Sequence, residues 1–261
     1  MEEKNGKPSE LAEAMMQYLD CECRYFPPMP DDTELCAAYR DARRDATDGG
    51  YVPMLVKVDE TLFECLIMNS DPDSDGEDDY SFDATKVAAY RREQLSRELP
   101  DGREILKGYL ADRKEEAEDD EIDWDSEIVG PVEGGEEIDC FAAYRDYRSE
   151  ETAPVILAKI PVKHAWEIFA YLPFGGWNDC PGTEELMAVT KYWAEQYGAW
   201  PSTMSHDELE FFLPAPVPEN RALELAIEHY GFCPDLDQGV HPLGALADSL
   251  KRSRIWYFWW D

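Results

Sequence analysis

Two short loops of the sequence combine residue types that could bind a small ligand. The first, "GGWNDCP" (residues 175–181), supplies an indole, an amide and a thiol. The second, "CPDLDQ" (residues 233–238), supplies a thiol, two carboxylates and an amide. Polar groups beside an aromatic wall are typical of ligand pockets, but Gly-Gly-Trp and Cys-Pro also often fix loop shape and fill a core. The candidate ligand-binding residues are Trp177, Asn178, Cys180, Tyr230, Cys233, Asp235, Asp237 and Gln238.

Thiol catalysis or zinc binding would use some of the same residues. A thiol nucleophile needs a base and a lowered pKa, and Cys180 lies just before a predicted helix, which meets part of that need. His206 and His229 are the histidines of this half that we weigh as bases, and neither lies in a recognisable nucleophile motif. His229, Cys233 and Cys180 would supply three zinc ligands. We favour a helix-capping histidine and a buried cysteine, and we predict no catalytic residue, no metal and no cofactor.

An acidic segment, "DPDSDGEDD" (residues 71–79), resembles the first half of a calcium loop. Asp71, Asp73, Asp75 and Gly76 match the alternating carboxylates and the turn glycine of such a loop. The twelfth position is Phe82, so the bidentate glutamate is missing. The pattern favours a solvated acidic loop and leaves calcium binding open.

The second half of the sequence predicts the elements that would position these loops. Apolar runs and alternation predict strands at residues 155–160, 199–204, 208–213 and 255–260. Amphipathic periodicity predicts helices between these strands. One of them has Thr183 as its N-cap and ends at Gly198. The order β-α-β-β-α-(α)-β matches the split βαβ pattern. We therefore predict an α+β protein whose C-terminal sheet is ferredoxin-like, with helices on one face.

The first half of the sequence echoes the second. "AAYRD" occurs at residues 37–41 and 142–146, and each copy precedes a proline-led apolar strand. The offset stays near one hundred residues, which predicts that the N-terminal half is a degenerate related copy. An acidic run and "GPVEGG" (residues 130–135) predict a linker. The predicted domains are an acidic, helix-rich domain at 1–135 and an α+β domain at 136–261.

The sequence finishes on "IWYFWWD" (residues 255–261), its most apolar stretch. As a strand, this stretch would place Trp256, Phe258 and Trp260 on one face and Ile255, Tyr257 and Trp259 on the other. Both faces are then apolar, so we expect residues before about Gly135 to help cover the face that the C-terminal helices leave open.

Three stretches of the C-terminal half carry a family resemblance. "LAKIPVKHAWEIFAYLPFGGWNDCP", "HYGFCPDLDQG" and "WYFWWD" resemble the bacterial family catalogued as domain of unknown function 4253, over about residues 140–261. The resemblance implies a cytosolic domain with no assigned activity. Its signature positions fall on Gly175, Gly176, Trp177, Asn178, Cys180, Pro181, Tyr230, Cys233, Pro234, Asp235, Asp237, Gln238 and Gly239.

The charge of the whole chain restricts its partners. A net charge of −34 and a pI near 4.3 repel phosphate backbones and anionic lipid, so we expect no nucleic-acid or membrane binding. The sequence contains seven scattered cysteines, including the "CEC" of Cys21 and Cys23. We interpret them as reduced core or surface thiols, because reduced thiols are typical of cytoplasmic proteins. We predict a cytoplasmic binding protein that masks a basic protein, as inhibitor or immunity proteins do. The alternative is a small-ligand sensor or a thiol- or zinc-dependent enzyme built on the two loops.

Overall fold

A computed structural model describes residues 6–73, 80–146, 148–149, 151–238 and 242–261, without the side chains of 47–49 and 237–238. Its α-helices are α1 (Glu10–Leu19), α2 (Thr33–Gly49), α3 (Glu60–Ser70), α4 (Ala84–Ser96), α5 (Gly102–Asp119), α6 (Thr183–Tyr197), α7 (Glu219–Phe232) and α8 (Leu243–Leu250). Its strands are β1 (Glu22–Phe26), β2 (Val52–Lys57), β3 (Val155–Ile160), β4 (Trp200–Met204), β5 (Glu208–Phe212) and β6 (Ile255–Trp259). A π-helical turn spans Trp124–Val129, and 3-10 helices span Ala165–Ala170 and Pro234–Gln238. The predicted α+β class is confirmed.

The six strands form a mixed sheet in the order β1-β3-β2-β4-β5-β6. Strand β3 pairs antiparallel with β1 and β2, with Leu157 opposite both Arg24 and Leu55. Strand β2 runs parallel to β4, and β5 runs antiparallel to β6, with Phe211 opposite Trp256. Strands β2 and β3 are buried almost throughout, as their continuous apolar runs indicate.

The sheet does not have the predicted ferredoxin-like order. Strand β2 of the N-terminal half lies between β3 and β4, so the strands of the C-terminal half do not form a sheet of their own. Hydrophobic periodicity identifies a buried strand but not its partner, and β2 is as apolar as β3. The prediction of a split βαβ sheet is therefore wrong, because the strands pair in a different order.

The duplicated segments share some local structure but not all of it. The two proline-led runs both form strands, and they lie side by side as β2 and β3. The two "AAYRD" copies differ, since residues 37–41 lie within α2 and residues 142–146 form turns with a bridge from Arg145 to Thr152. The duplication stays a prediction.

Contacts divide the chain into two compact units that interleave along the sequence. The first comprises Met1–Glu98, Ala142–Phe174 and Ser202–His206, and the second comprises Leu99–Phe141, Gly175–Pro201 and Asp207–Asp261. These boundaries do not fall at residue 135. The division into 1–135 and 136–261 stays a prediction about independently folding domains.

The core of the second unit is built on β6. Trp256, Phe258 and Trp260 are almost completely buried, and they pack against aromatic residues of α6, α7 and β5. Helix α5 packs on α6 and α7. The α5–α6 approach is so close that a Cβ on Gly102 would lie 2.2 Å from the carbonyl oxygen of Ala188.

The other face of β6 is only partly buried, and its covering by residues before about Gly135 stays a prediction. Ile255 is buried, whereas Tyr257 and Trp259 are only partly buried. The Tyr257 hydroxyl donates to the Glu208 carboxylate at 2.7 Å, and Trp259 Nε1 donates to the Asp207 carboxylate at 3.1 Å. Residues before Gly135 do join this unit, but α5 packs mainly on helices. The half-exposed rings are tolerated because their polar atoms are hydrogen-bonded.

Candidate functional site

The two predicted loops meet at the end of β6. Asn178 Nδ2 donates to the carbonyl oxygen of Asp261 at 2.6 Å, and an Asp235 carboxylate oxygen accepts from the Asp261 amide at 3.0 Å. The Cys233 thiol donates to the carbonyl oxygen of Trp259 at 2.9 Å. We call Asn178, Cys233 and Asp235 the β6 clamp. The structure thus brings three candidate residues together, and the partner that they share is the backbone of residues 259–261.

The loop that carries Asn178 is shaped by unusual backbone angles. Gly175 and Gly176 have φ of 86° and 78°, and Asn178 itself has φ of 46°. A Cβ on Gly175 would lie 2.2 Å from the carbonyl oxygen of Pro181, so only glycine fits at this turn. The Gly176 amide donates back to the carbonyl oxygen of Cys180 at 3.1 Å. The glycines therefore close the loop on itself and aim the Asn178 amide at β6.

Cys180 and Trp177 belong to the same turn. The Cys180 amide donates to the carbonyl oxygen of Trp177 at 2.9 Å, the Cys180 side chain is buried, and Trp177 is half-buried. Helix α6 begins at Thr183, where the Glu185 carboxylate accepts from the Gly182 amide at 3.1 Å. The predicted placement of Cys180 just before a helix is confirmed.

The remaining candidates lie elsewhere or outside the described residues. Tyr230 is buried in a separate apolar cluster with Ile128 and Leu243, and its ring centroid lies 6.1 Å from that of Trp124. Asp237 and Gln238 belong to the last 3-10 helix, but their side chains lie outside the described part of the chain. Gly239 lies outside it altogether.

His229 lies within the aromatic core around β6. Its fully buried ring lies 4.6 Å from the Trp256 ring and 4.7 Å from the Phe258 ring, between centroids. Burial lowers the pKa of His229 to about 3, and Nε2 has no hydrogen-bond partner among the residues that the structure describes. No group of three His, Cys, Asp or Glu side chains among the described residues is placed to hold a metal ion.

The buried thiols are also poor nucleophiles. Burial raises the pKa of Cys233, so its thiol is protonated at neutral pH. Cys180 is 4% exposed, and a reactive thiol needs access as well as a thiolate. The contacts of both cysteines favour structure over thiol chemistry.

The acidic segment that resembles a calcium loop falls mostly outside the described residues. Residues 74–79 are not described, whereas Asp71 is buried and forms an ion pair with Lys86 at 2.9 Å. It also accepts from the Asp83 amide at 3.0 Å, and these partners lower its pKa although burial acts in the opposite sense. Asp71 thus already has protein partners.

Sequence reasoning missed a groove between α5 and α7. It has a volume of about 380 Å³ and is lined by Leu106, Leu110, Leu223, Ile227, Arg103, Lys107, Lys114, Glu224 and Glu228. The two leucines of α5 and the pair Leu223 and Ile227 each have the i, i+4 spacing that indicates one apolar helix face. This i, i+4 spacing is the feature of the sequence that could have indicated the groove.

Comparison with known proteins identifies the class of the C-terminal part. Residues 156–261 match the family described as Domain of unknown function (DUF4253), which confirms the resemblance in the sequence. The match includes the β6 clamp and supplies no activity. Neither the curated proteins nor the solved structures gave a match. In the described part of the chain, no helix combines the length and apolarity needed to cross a membrane.

The burial of Cys180 and Cys233 predicts how slowly their thiols react with a reagent. Both should resist a thiol reagent in the folded protein, because they are 4% and 0% exposed. Cys140 is exposed and should be labelled at once. Peptide mass spectrometry after brief labelling measures all three positions. Labelling of Cys180 and Cys233 at the rate of Cys140 would contradict the packing described here.

Proposed function

We propose that this protein binds a basic protein partner in the cytoplasm through an acidic ridge, which we define as residues 112–127. The observation that carries this proposal is the exposure of all ten acidic side chains of the ridge: Asp112, Glu115, Glu116, Glu118, Asp119, Asp120, Glu121, Asp123, Asp125 and Glu127. An inhibitor or immunity protein that masks a toxin or a nucleic-acid-binding protein would need such a surface.

Few carboxylates of the ridge are neutralised within the protein. Glu116 pairs with Arg113 at 2.8 Å, while Asp123 and Glu127 cap the π-helical turn. The other seven have no side-chain partner among the described residues. Because unpaired like charges repel one another, they are a cost to the isolated protein and a source of affinity for cations.

The position of the ridge on α5 adds to that cost. Glu115, Glu116, Glu118 and Asp119 lie in the last two turns of α5, and the last turn has no basic residue. The C-terminal end of a helix carries partial negative charge, so an acidic side chain there is unfavourable by about 0.3–1 kcal/mol. Residues that lower the stability of their own helix in this way are typical of a functional surface.

An apolar contact point interrupts the carboxylates. Ile122 is 40% exposed within the ridge, and Trp124 is half-buried beside it. Protein interfaces combine charge with buried apolar and aromatic side chains, with charge setting the association rate and specificity. Ile122 and Trp124 therefore favour a protein partner over simple counter-ions.

The alternative function, a small-ligand sensor or a thiol or zinc enzyme, has no comparable support. The polar groups of the β6 clamp are engaged by backbone, and its thiol is buried. We therefore propose the acidic ridge as the functional surface.

Neutralising the ridge should weaken binding and stabilise the fold. We expect Glu115→Gln, Glu118→Gln and Asp119→Asn together to raise the free energy of unfolding by about 1–2 kcal/mol at low salt, because unfavourable helix-end charges are removed. The same variant should bind a lysine- and leucine-rich peptide at least about tenfold more weakly. Urea unfolding and titration calorimetry at low and high salt measure the two effects.

A control that removes two carboxylates from another surface separates the ridge from net charge. Glu10 and Glu13 are exposed in the first turn of α1, where negative charge is favourable. Their replacement by glutamine should lower stability slightly and leave peptide affinity nearly unchanged. If this control loses as much affinity as the ridge variant, binding reflects overall charge and the proposal is wrong.

A further inference from the structure

Two half-buried thiols lie side by side at the start of β1. The Sγ atoms of Cys21 and Cys23 are 3.8 Å apart. Asp20 ends α1 in a left-handed conformation with φ of 50°, which turns the chain directly before Cys21. Only Glu22 separates the two cysteines in the chain, and their thiols are close enough to contact each other.

A buried guanidinium belongs to the same cluster. Arg91 is 6% exposed, and its Cζ lies 4.2 Å from the ring centroid of Tyr171. One guanidinium nitrogen donates to the carbonyl oxygen of Tyr18, while Nε has no hydrogen-bond partner in the described part of the chain. The hydrogen bond with Cys23 and burial together raise the pKa of Cys21. The charge of Arg91 acts in the opposite sense and is the smaller effect. A hydrogen bond from Cys21 lowers the pKa of Cys23, against burial and the charge of Glu22.

We propose that Cys21 and Cys23 form a redox-active dithiol that exchanges with low-molecular-weight disulfides. The Cys23 thiolate attacks one sulfur of a disulfide RSSR, which breaks the S–S bond, forms a mixed disulfide on Cys23 and releases RS⁻. Cys21 then loses its proton to solvent and attacks Cys23 Sγ, which displaces the second RS⁻. The dithiol loses two electrons and two protons, and RSSR is reduced to two RSH.

The geometry favours a reversible bond. A disulfide needs sulfurs about 2.05 Å apart, so side-chain rotation must close the present 3.8 Å gap. A pair of neighbouring free thiols that can close and open again is expected of a redox-active dithiol in a reducing compartment.

Oxidised glutathione tests this proposal on the full chain. After incubation, remaining thiols are alkylated and peptides are mapped by mass spectrometry. We expect the peptide that contains Cys21 and Cys23 to lose two hydrogens and to carry no glutathione. Cys21→Ser should instead trap glutathione on Cys23, and Cys23→Ser should be modified on Cys21 about tenfold more slowly.

The wild-type protein alone can overturn the proposal, even if a variant folds poorly. Stable glutathione on either thiol would show that the second thiol cannot resolve the mixed disulfide. Persistence of both thiols while the exposed Cys140 is modified would show that the pair is unreactive. Circular dichroism of both serine variants checks that a change in rate is not a loss of structure.

Discussion

Replacing Trp193 with alanine is expected to lower the free energy of unfolding by about 3–5 kcal/mol, the largest effect of any single substitution considered. Trp193 is completely buried, its ring stacks on Phe258 at 5.6 Å between centroids, and it meets Trp256 edge-on at 5.6 Å. Its Nε1 also donates to the Glu228 carboxylate at 3.1 Å. Alanine would leave a cavity and remove a donor from a buried carboxylate.

Urea unfolding measures this effect. One further variant separates the contribution of the ring from that of the hydrogen bond, and a second serves as a control. Trp193→Phe keeps a ring but loses the hydrogen bond to Glu228, so it should cost less, about 1–3 kcal/mol. Trp166→Ala removes a half-buried indole that stacks on His164, and it should cost about 1 kcal/mol or less. Equal losses for Trp193→Ala and Trp166→Ala would show that the aromatic core around β6 is not packed as described.

Acidification should destabilise the protein through His229. Burial lowers the pKa of this histidine to about 3, whereas an unfolded histidine titrates near 6.5. Between these values the unfolded state binds one more proton than the folded state, so stability falls as pH falls. The expected slope is about 1.4 kcal/mol per pH unit, or about 3 kcal/mol between pH 6.5 and pH 4.

A variant isolates the contribution of His229 from that of other groups. Burial raises the pKa of the neighbouring Glu228, which acts in the opposite sense because the folded state binds that proton more readily. His229→Leu should flatten the dependence on pH between 6.5 and 4, as measured by urea unfolding at each pH. An unchanged slope would place the acid sensitivity elsewhere. Ring-carbon NMR of the wild type should show no protonation of His229 above pH 4.

Local elements of this protein follow from short-range sequence signals. The apolar run at residues 155–160 forms β3 as predicted, because a strand covered on both faces needs apolar residues at every position. Gly198 ends α6 with φ of 68°, the left-handed conformation that glycine adopts without strain. The aromatic stretch at the end forms β6, with the predicted face of Trp256, Phe258 and Trp260 buried. Each of these features depends on residues within one element.

Strand order and the use of the two loops depend on contacts between distant residues. Periodicity could not show that β2 separates β3 from β4, because any apolar strand can pair with another. Composition made Asn178, Cys233 and Asp235 resemble a ligand pocket, since the same amide, thiol and carboxylate can bind either a ligand or backbone. Only the tertiary structure shows that they hold residues 259–261, because a hydrogen bond needs a partner placed within about 3 Å, and that placement is a property of the whole fold.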